Sequence, residues 1–80
     1  MKKIEKKIKF EFDDSVDDGY IYLTDIKPGE SIYSEQFILE TNGCHLIIDF
    51  DKDKRILGFE LLGGGSALPK EIVNELSSSK

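Results

Sequence analysis

Residues 44–62 carry the clearest alternation in the chain. Leu46, Ile48 and Phe50 alternate with His45, Ile47 and Asp49. Beyond the charged break Asp51-Lys52-Asp53-Lys54-Arg55, Leu57, Phe59 and Leu61 alternate with Ile56, Gly58 and Glu60. A period of two on both sides of a polar break predicts an antiparallel hairpin. Pairing Phe50 with Leu57 sets Ile48 opposite Phe59 and Leu46 opposite Leu61, with all six side chains on one face. A slip of one residue would turn one apolar set to the wrong side, so the pattern specifies its own register.

The same reading extends upstream. A first strand is expected from about Ile4 to Asp13, with Ile8, Phe10 and Phe12 inward. The turn Asp13-Asp14-Ser15-Val16-Asp17-Asp18-Gly19 follows, where Asp and Ser bond their own backbone and Gly19 can take positive φ. A second strand spans Tyr20 to Ile26, with Ile21 and Leu23 on one face. Lys27-Pro28-Gly29-Glu30 is a turn with Pro and Gly at its two central positions. A third strand runs from about Ser31 to Glu40, where Tyr33, Phe37 and Leu39 compete with Ile32 and Ile38 for the buried side. Thr41-Asn42-Gly43 then leads into the hairpin by the strongest short turn signal.

Gly63-Gly64-Gly65 ends the sheet. Ser66 can cap a helix, and Pro69 fits its first turn, where a missing N–H does no harm. Leu68, Ile72, Val73 and Leu76 form one apolar stripe, and residues 77–80 are expected to fray. The prediction is an α+β domain over residues 1–80: an antiparallel meander of about five strands between residues 4 and 62, a glycine-rich link at 63–65, and one short C-terminal helix over about 67–76. Five strands at about 4.8 Å spacing exceed the width of one helix, about 10 Å. The helix therefore cannot cover even one face. Ile47, Ile56 and Leu62 point away from the Phe50 face, so both faces carry apolar groups and a partner is expected, either a second copy or another protein.

Charge narrows the choice of partner. The net charge is −5, but residues 1–10 hold five lysines and one glutamate, which leaves −9 on the remaining seventy. An acidic body argues against direct nucleic-acid binding, which needs clustered Lys or Arg; it leaves room for a basic protein partner or for mimicry of nucleic acid. The lysines alternate with Ile4, Ile8 and Phe10, as on an edge strand protected against aggregation. No apolar run is long enough to span a membrane or to form the core of a secretory signal. Together with the single cysteine, Cys44, this points to a reducing cytoplasmic setting.

Candidate chemistry is sparse. Asp49, Asp51, Asp53 and Glu60 stand at positions 1, 3, 5 and 12 of a calcium-loop pattern, whose carboxylates supply the oxygens calcium requires. Position six is Lys54 where that pattern needs Gly, and the flanks read as strands where it needs helices. Asp13, Asp14, Asp17 and Asp18 form a second acidic group, read first as turn formers and second as a divalent-metal site. Cys44 and His45 are adjacent, so on a strand they face opposite ways and cannot act as nucleophile and base. His45 lacks companion ligands for zinc, and the glycine run has no phosphate-loop pattern. No cofactor and no catalytic activity are expected.

Phe12-Asp13-x-x-x-Asp17-x-x-Tyr20-Ile21-x-Leu23, then Ser34-Glu35, then Asp49-Phe50-Asp51-x-Asp53-x-Arg55-Ile56-Leu57-Gly58-Phe59-Glu60-Leu61-Leu62 resembles the small bacterial domain-of-unknown-function family 2283. The resemblance covers residues 10 to 69. Gly19 stands where Leu is usual, and Lys54 replaces the turn Gly, which implies a different conformation at the hairpin tip. The resemblance implies an antiparallel sheet with a C-terminal helical segment and no established activity. Some relatives lie beside small toxin-like proteins, so it also implies an antitoxin-like partner role. The expected function is a non-catalytic protein-interaction module, with a homodimer or a basic, toxin-like protein as partner. A small-ligand or divalent-metal module using the acidic turns is the alternative.

Overall fold

In a computed structural model, which describes residues 1–63 and 67–78, the chain forms one five-stranded antiparallel sheet and a C-terminal helix. The strands are β1 (Lys9–Asp13), β2 (Asp18–Tyr22), β3 (Tyr33–Ile38), β4 (His45–Phe50) and β5 (Ile56–Leu62), and the helix is α1 (Lys70–Ser78). Gly64, Gly65, Ser66, Ser79 and Lys80 lie outside the described residues, and with them the expected serine cap and most of the glycine link.

The sheet order is β1-β2-β5-β4-β3. β1–β2 is one hairpin and β3-β4-β5 runs back and forth, but β2 lies beside β5, so residues 23–32 carry the chain to the far edge. The hairpin of residues 44–62 is thereby central, with β5 flanked by β4 and β2. That position suits its near-continuous apolar character. β1 and β3 are the two edges.

Ile48 faces Phe59 and Leu46 faces Leu61, as the alternation requires. The expected Phe50–Leu57 pair does not form. A register shift between Asp49 and Phe50 sets Phe50 beside Ile56. This is a β-bulge, in which two residues of one strand oppose one of the other. Leu57 remains buried, and its carbonyl accepts a hydrogen bond from the Leu23 N–H (3.0 Å).

The outer strands are shorter than the alternation suggests. β1 begins at Lys9 and not at Ile4, because β2 stops at Tyr22, the partner of Lys9; residues 1–8 have no strand to pair with. β2 covers Asp18–Tyr22 where Tyr20–Ile26 was expected, and β3 covers Tyr33–Ile38 where Ser31–Glu40 was expected.

Turn chemistry explains the corners. Asp13 Oδ1 accepts from the Ser15 N–H (3.0 Å) and hydroxyl (2.6 Å). The positive φ of this turn falls on Asp17 (53°); Gly19 instead sits inside β2, opposite Phe12. Lys27–Glu30 closes as expected, with the Glu30 N–H on the Lys27 carbonyl and Gly29 at φ 80°. Between β3 and β4 the Gly43 N–H reaches the Leu39 carbonyl (2.7 Å), and Gly43 takes φ 73°.

At the β4–β5 tip, Lys54 adopts φ 63°. This is the left-handed conformation that favours glycine, so Lys54 is a strained residue in the turn.

One face of the sheet carries Phe10, Phe12, Ile21, Leu46, Ile48, Phe59 and Leu61. α1 packs there at the β1 end. It starts one turn later than expected: the Pro69 carbonyl accepts from the Val73 N–H (3.2 Å). Ile72, Val73 and Leu76 turn inward, while Lys70, Glu71 and Asn74 are exposed. Leu68, ahead of the helix, reaches toward Gly19. α1 leaves β3 and β4 uncovered, and among the described residues only Cys44, Leu57 and Leu61 are buried hydrophobics. The radius of gyration, 13.4 Å, exceeds the roughly 12 Å expected for a compact chain of this length, as an open sheet with a projecting arm should. No helix among the described residues is long and apolar enough to cross a membrane.

Candidate functional site

Two surfaces stand out, one on each face of the sheet. The first is the polar face, which carries Tyr20, Tyr22, Asp49, Gly58 and Glu60. Antiparallel register puts Tyr22 beside Gly58 and Gly58 beside Asp49 on the far side. With no side chain at Gly58, the Tyr20 ring lies across β5 and its hydroxyl donates to Asp49 Oδ2 (2.5 Å). Ser34 donates to Asp49 Oδ1 (2.8 Å). One carboxylate thus ties β2, β4 and β3 together over β5. A Cβ built at position 58 would lie 2.6 Å from Tyr20 Cε1 and 2.6 Å from the Ile21 carbonyl oxygen. Burial, followed by the hydrogen bond and charge of Asp49, pushes the Tyr20 phenol well above its usual range. Tyr20 also packs against Tyr22, with ring centroids 4.6 Å apart, and Lys9 lies over the Tyr22 ring at 4.8 Å while pairing with Glu11 (3.2 Å).

Glu60 sits opposite Tyr20. Its carboxyl is held above the ordinary range, first by burial and then by the neighbouring Asp18 and Asp49 charges. Asp18 Oδ1 is buried and accepts no hydrogen bond among the described residues.

The calcium candidates are therefore divided. Asp49 and Glu60 share the polar face, where Asp49 Oδ2 accepts from Tyr20 and Asp49 Oδ1 from Ser34. Asp51 Oδ1 accepts from the Asp53 N–H (2.9 Å) and the Arg55 N–H (3.0 Å), which makes it the cap of the hairpin turn. Asp53 is exposed at the tip. Among the described residues, no group of three or more His, Cys, Asp or Glu side chains is arranged to hold a metal ion. Cys44 is 1% exposed, and its burial pushes the thiol upward, away from the thiolate form a nucleophile needs. His45 Nδ1 lies 3.1 Å from Gln36 Nε2.

The second surface is the β3 side of the apolar face. β3 is an edge strand with all six residues exposed. Tyr33 is 50% and Phe37 48% exposed; they stand opposite Phe50 and Leu46 on β4, while Glu35 stands between them opposite Ile48. Among the described residues Glu35 has no ion-pair partner. Edge strands of natural sheets usually carry charge, proline or a cover that blocks further pairing. Here two aromatic residues flank one carboxylate. The competing apolar residues on this strand were visible in the sequence, but its position at the sheet's edge was not. The Gly58 slot could have been suspected from a glycine interrupting an otherwise regular strand.

The architecture defines a small single-sheet protein with one helix on one end of the apolar face and a tyrosine–carboxylate network on the other. The sequence pattern of the family described as "Protein of unknown function (DUF2283)" matches residues 9–63. The chain belongs to this family. The match contains the Tyr20–Asp49–Gly58 network and all five strands. No curated protein and no solved structure compared with the chain matches it significantly.

Proposed function

We propose that this is a non-catalytic protein-interaction module that docks a basic, partly apolar partner along β3 and the uncovered half of the apolar face. The observation that carries the reading is the edge strand itself: Tyr33 and Phe37 are half exposed around the unpaired Glu35, beside a helix that covers only the β1 end. Exposed apolar groups of this kind, next to a free edge, suit a partner that adds contacts to side chains and backbone alike. Glu35 and the acidic body favour a positively charged partner, and a small toxin-like protein is one candidate of that class. The polar face has a different role in this reading, since its network holds four strands in register.

Affinity capture from the native host with the parent and with Phe37→Asp tests it. Phe37 is half exposed on an edge strand, so the variant should keep the parent's circular dichroism, which is checked first. The expected result is one stoichiometric basic protein, retained by the parent, lost from Phe37→Asp and released by raised salt. Equal recovery by both proteins, or none by the parent, overturns the reading.

A further inference from the structure

Residues 1–8 form no strand, and every one of them is exposed. Ile4 is 84% exposed, and Ile8, the least open of its apolar residues, lines a cleft with Ile72 and Leu76 of α1. Lys6 and Lys7 lie beside Tyr22–Asp25 without forming an ion pair among the described residues. Extended chain has a period of two, so Ile4, Lys6 and Ile8 share one side of this arm. β3 presents the complementary row on its apolar face, Tyr33, Glu35 and Phe37.

We infer that the partner of the β3 edge includes a second copy of this chain, whose residues 4–8 add antiparallel as a sixth strand. The register follows from side-chain chemistry: Lys6 opposite Glu35 places Ile4 opposite Phe37 and Ile8 opposite Tyr33, two apolar pairs around one ion pair. On the other face Lys7 meets Ser34 and Glu5 meets Gln36. The antiparallel sense continues that of every other pair in the sheet. Charge selects this occupant. The arm has four lysines and one glutamate among residues 2–7, while the rest of the chain is acidic. A direct face-to-face pairing of two copies would instead bring Glu35 against apolar groups or another acidic surface. Reciprocal exchange of two arms closes a two-fold dimer. Strands paired in this way gain main-chain hydrogen bonds as well as side-chain contacts.

The inference rests on the reading of β3 as a docking surface, and charge reversal separates the two. Molar mass is measured by light scattering for the parent, Lys6→Glu, Glu35→Lys and the double variant. Lys6 precedes the first strand and Glu35 is exposed on an edge, so each variant should keep the parent's circular dichroism. The parent should associate in a salt-sensitive way. Each single reversal should weaken association at least about tenfold, as like charges face one another. The double variant, and an equimolar mixture of the two single variants, should recover it. A parent that stays monomeric at all concentrations, or single variants that associate like the parent, overturns the inference. If such a protein still captures a partner through Phe37, the docking surface stands and only the second-copy occupant falls.

Discussion

Replacing Gly58 by Ala tests the network that spans the polar face. In an ordinary strand interior this change stabilises by about 0.5–1 kcal/mol, because Gly loses more freedom on folding. Here the added Cβ would sit 2.6 Å from both the Ile21 carbonyl oxygen and Tyr20 Cε1, and 3.0 Å from the Tyr20 hydroxyl. The carbonyl belongs to the β2–β5 ladder and cannot retreat without breaking pairs on both sides of it. Overpacking of this kind costs about 1–3 kcal/mol. If Tyr20 swings aside, its hydrogen bond to the Asp49 carboxylate is lost as well, at about 1.5 kcal/mol, the low end for a charged acceptor because the site is partly exposed. The tyrosine pair would also loosen, at about 0.5 kcal/mol. With the ring displaced, subtracting the entropic gain leaves Gly58→Ala destabilised by about 2–4 kcal/mol. A domain of this size converts that into a fall in Tm of roughly 10–30 °C. Thermal and urea unfolding read the loss directly. A Tyr20→Ala background separates its causes: removing the ring should make the Gly58→Ala step cheaper but not free, since the carbonyl clash remains. A Gly58→Ala protein as stable as the parent, or more so, would refute the idea that the ring and the Ile21 carbonyl require glycine.

Two further predictions concern the hairpin tip and the carboxyl pair. Lys54→Gly removes a non-glycine residue from φ 63°; relief of about 1 kcal/mol of left-handed strain, reduced by the entropy of the added glycine, should raise stability by about 0.5 kcal/mol and Tm by roughly 2–4 °C. A lower Tm would show that the Lys54 side chain contributes more than its backbone costs. Glu60 titrates above its ordinary value in the fold, so its contribution to stability is present below the unfolded value and is lost as pH rises through the raised native one. Glu60→Gln should therefore raise Tm at pH 7, where the parent carries a destabilising charge, and the gap should close by about pH 4. Equal effects at both values would place the cause in packing and not in charge.

The hairpin of residues 44–62 was legible up to its bulge, with Ile48 opposite Phe59 and Leu46 opposite Leu61, because both its strands lie inside the sheet. Each apolar position there is read by neighbours on two sides, so alternation and burial coincide. The turn at Lys27–Glu30 was equally clear, because proline and glycine impose their own φ. The helix was legible as a stripe, although its start moved to Lys70. The edges were less so. Ile4 and Ile8 alternate like strand residues, yet β2 ends at Tyr22 and offers them no partner; strand length is a property of the pair and not of one segment. The bulge at Leu57 left no mark in the alternation, which continues unbroken through Leu57, Phe59 and Leu61. Asp49 has acidic neighbours in the sequence, but the hydroxyls that donate to it, those of Tyr20 and Ser34, are 29 and 15 residues away. By itself the sequence determined the class of fold, the central register and the excess of apolar surface over what one helix can cover. The tertiary structure alone decided the strand order, and with it which strands became edges. That assignment left Tyr33, Glu35 and Phe37 with a neighbouring strand on one side only, because hydrogen bonding and packing across a sheet depend on which strands meet in space, whatever their order along the chain.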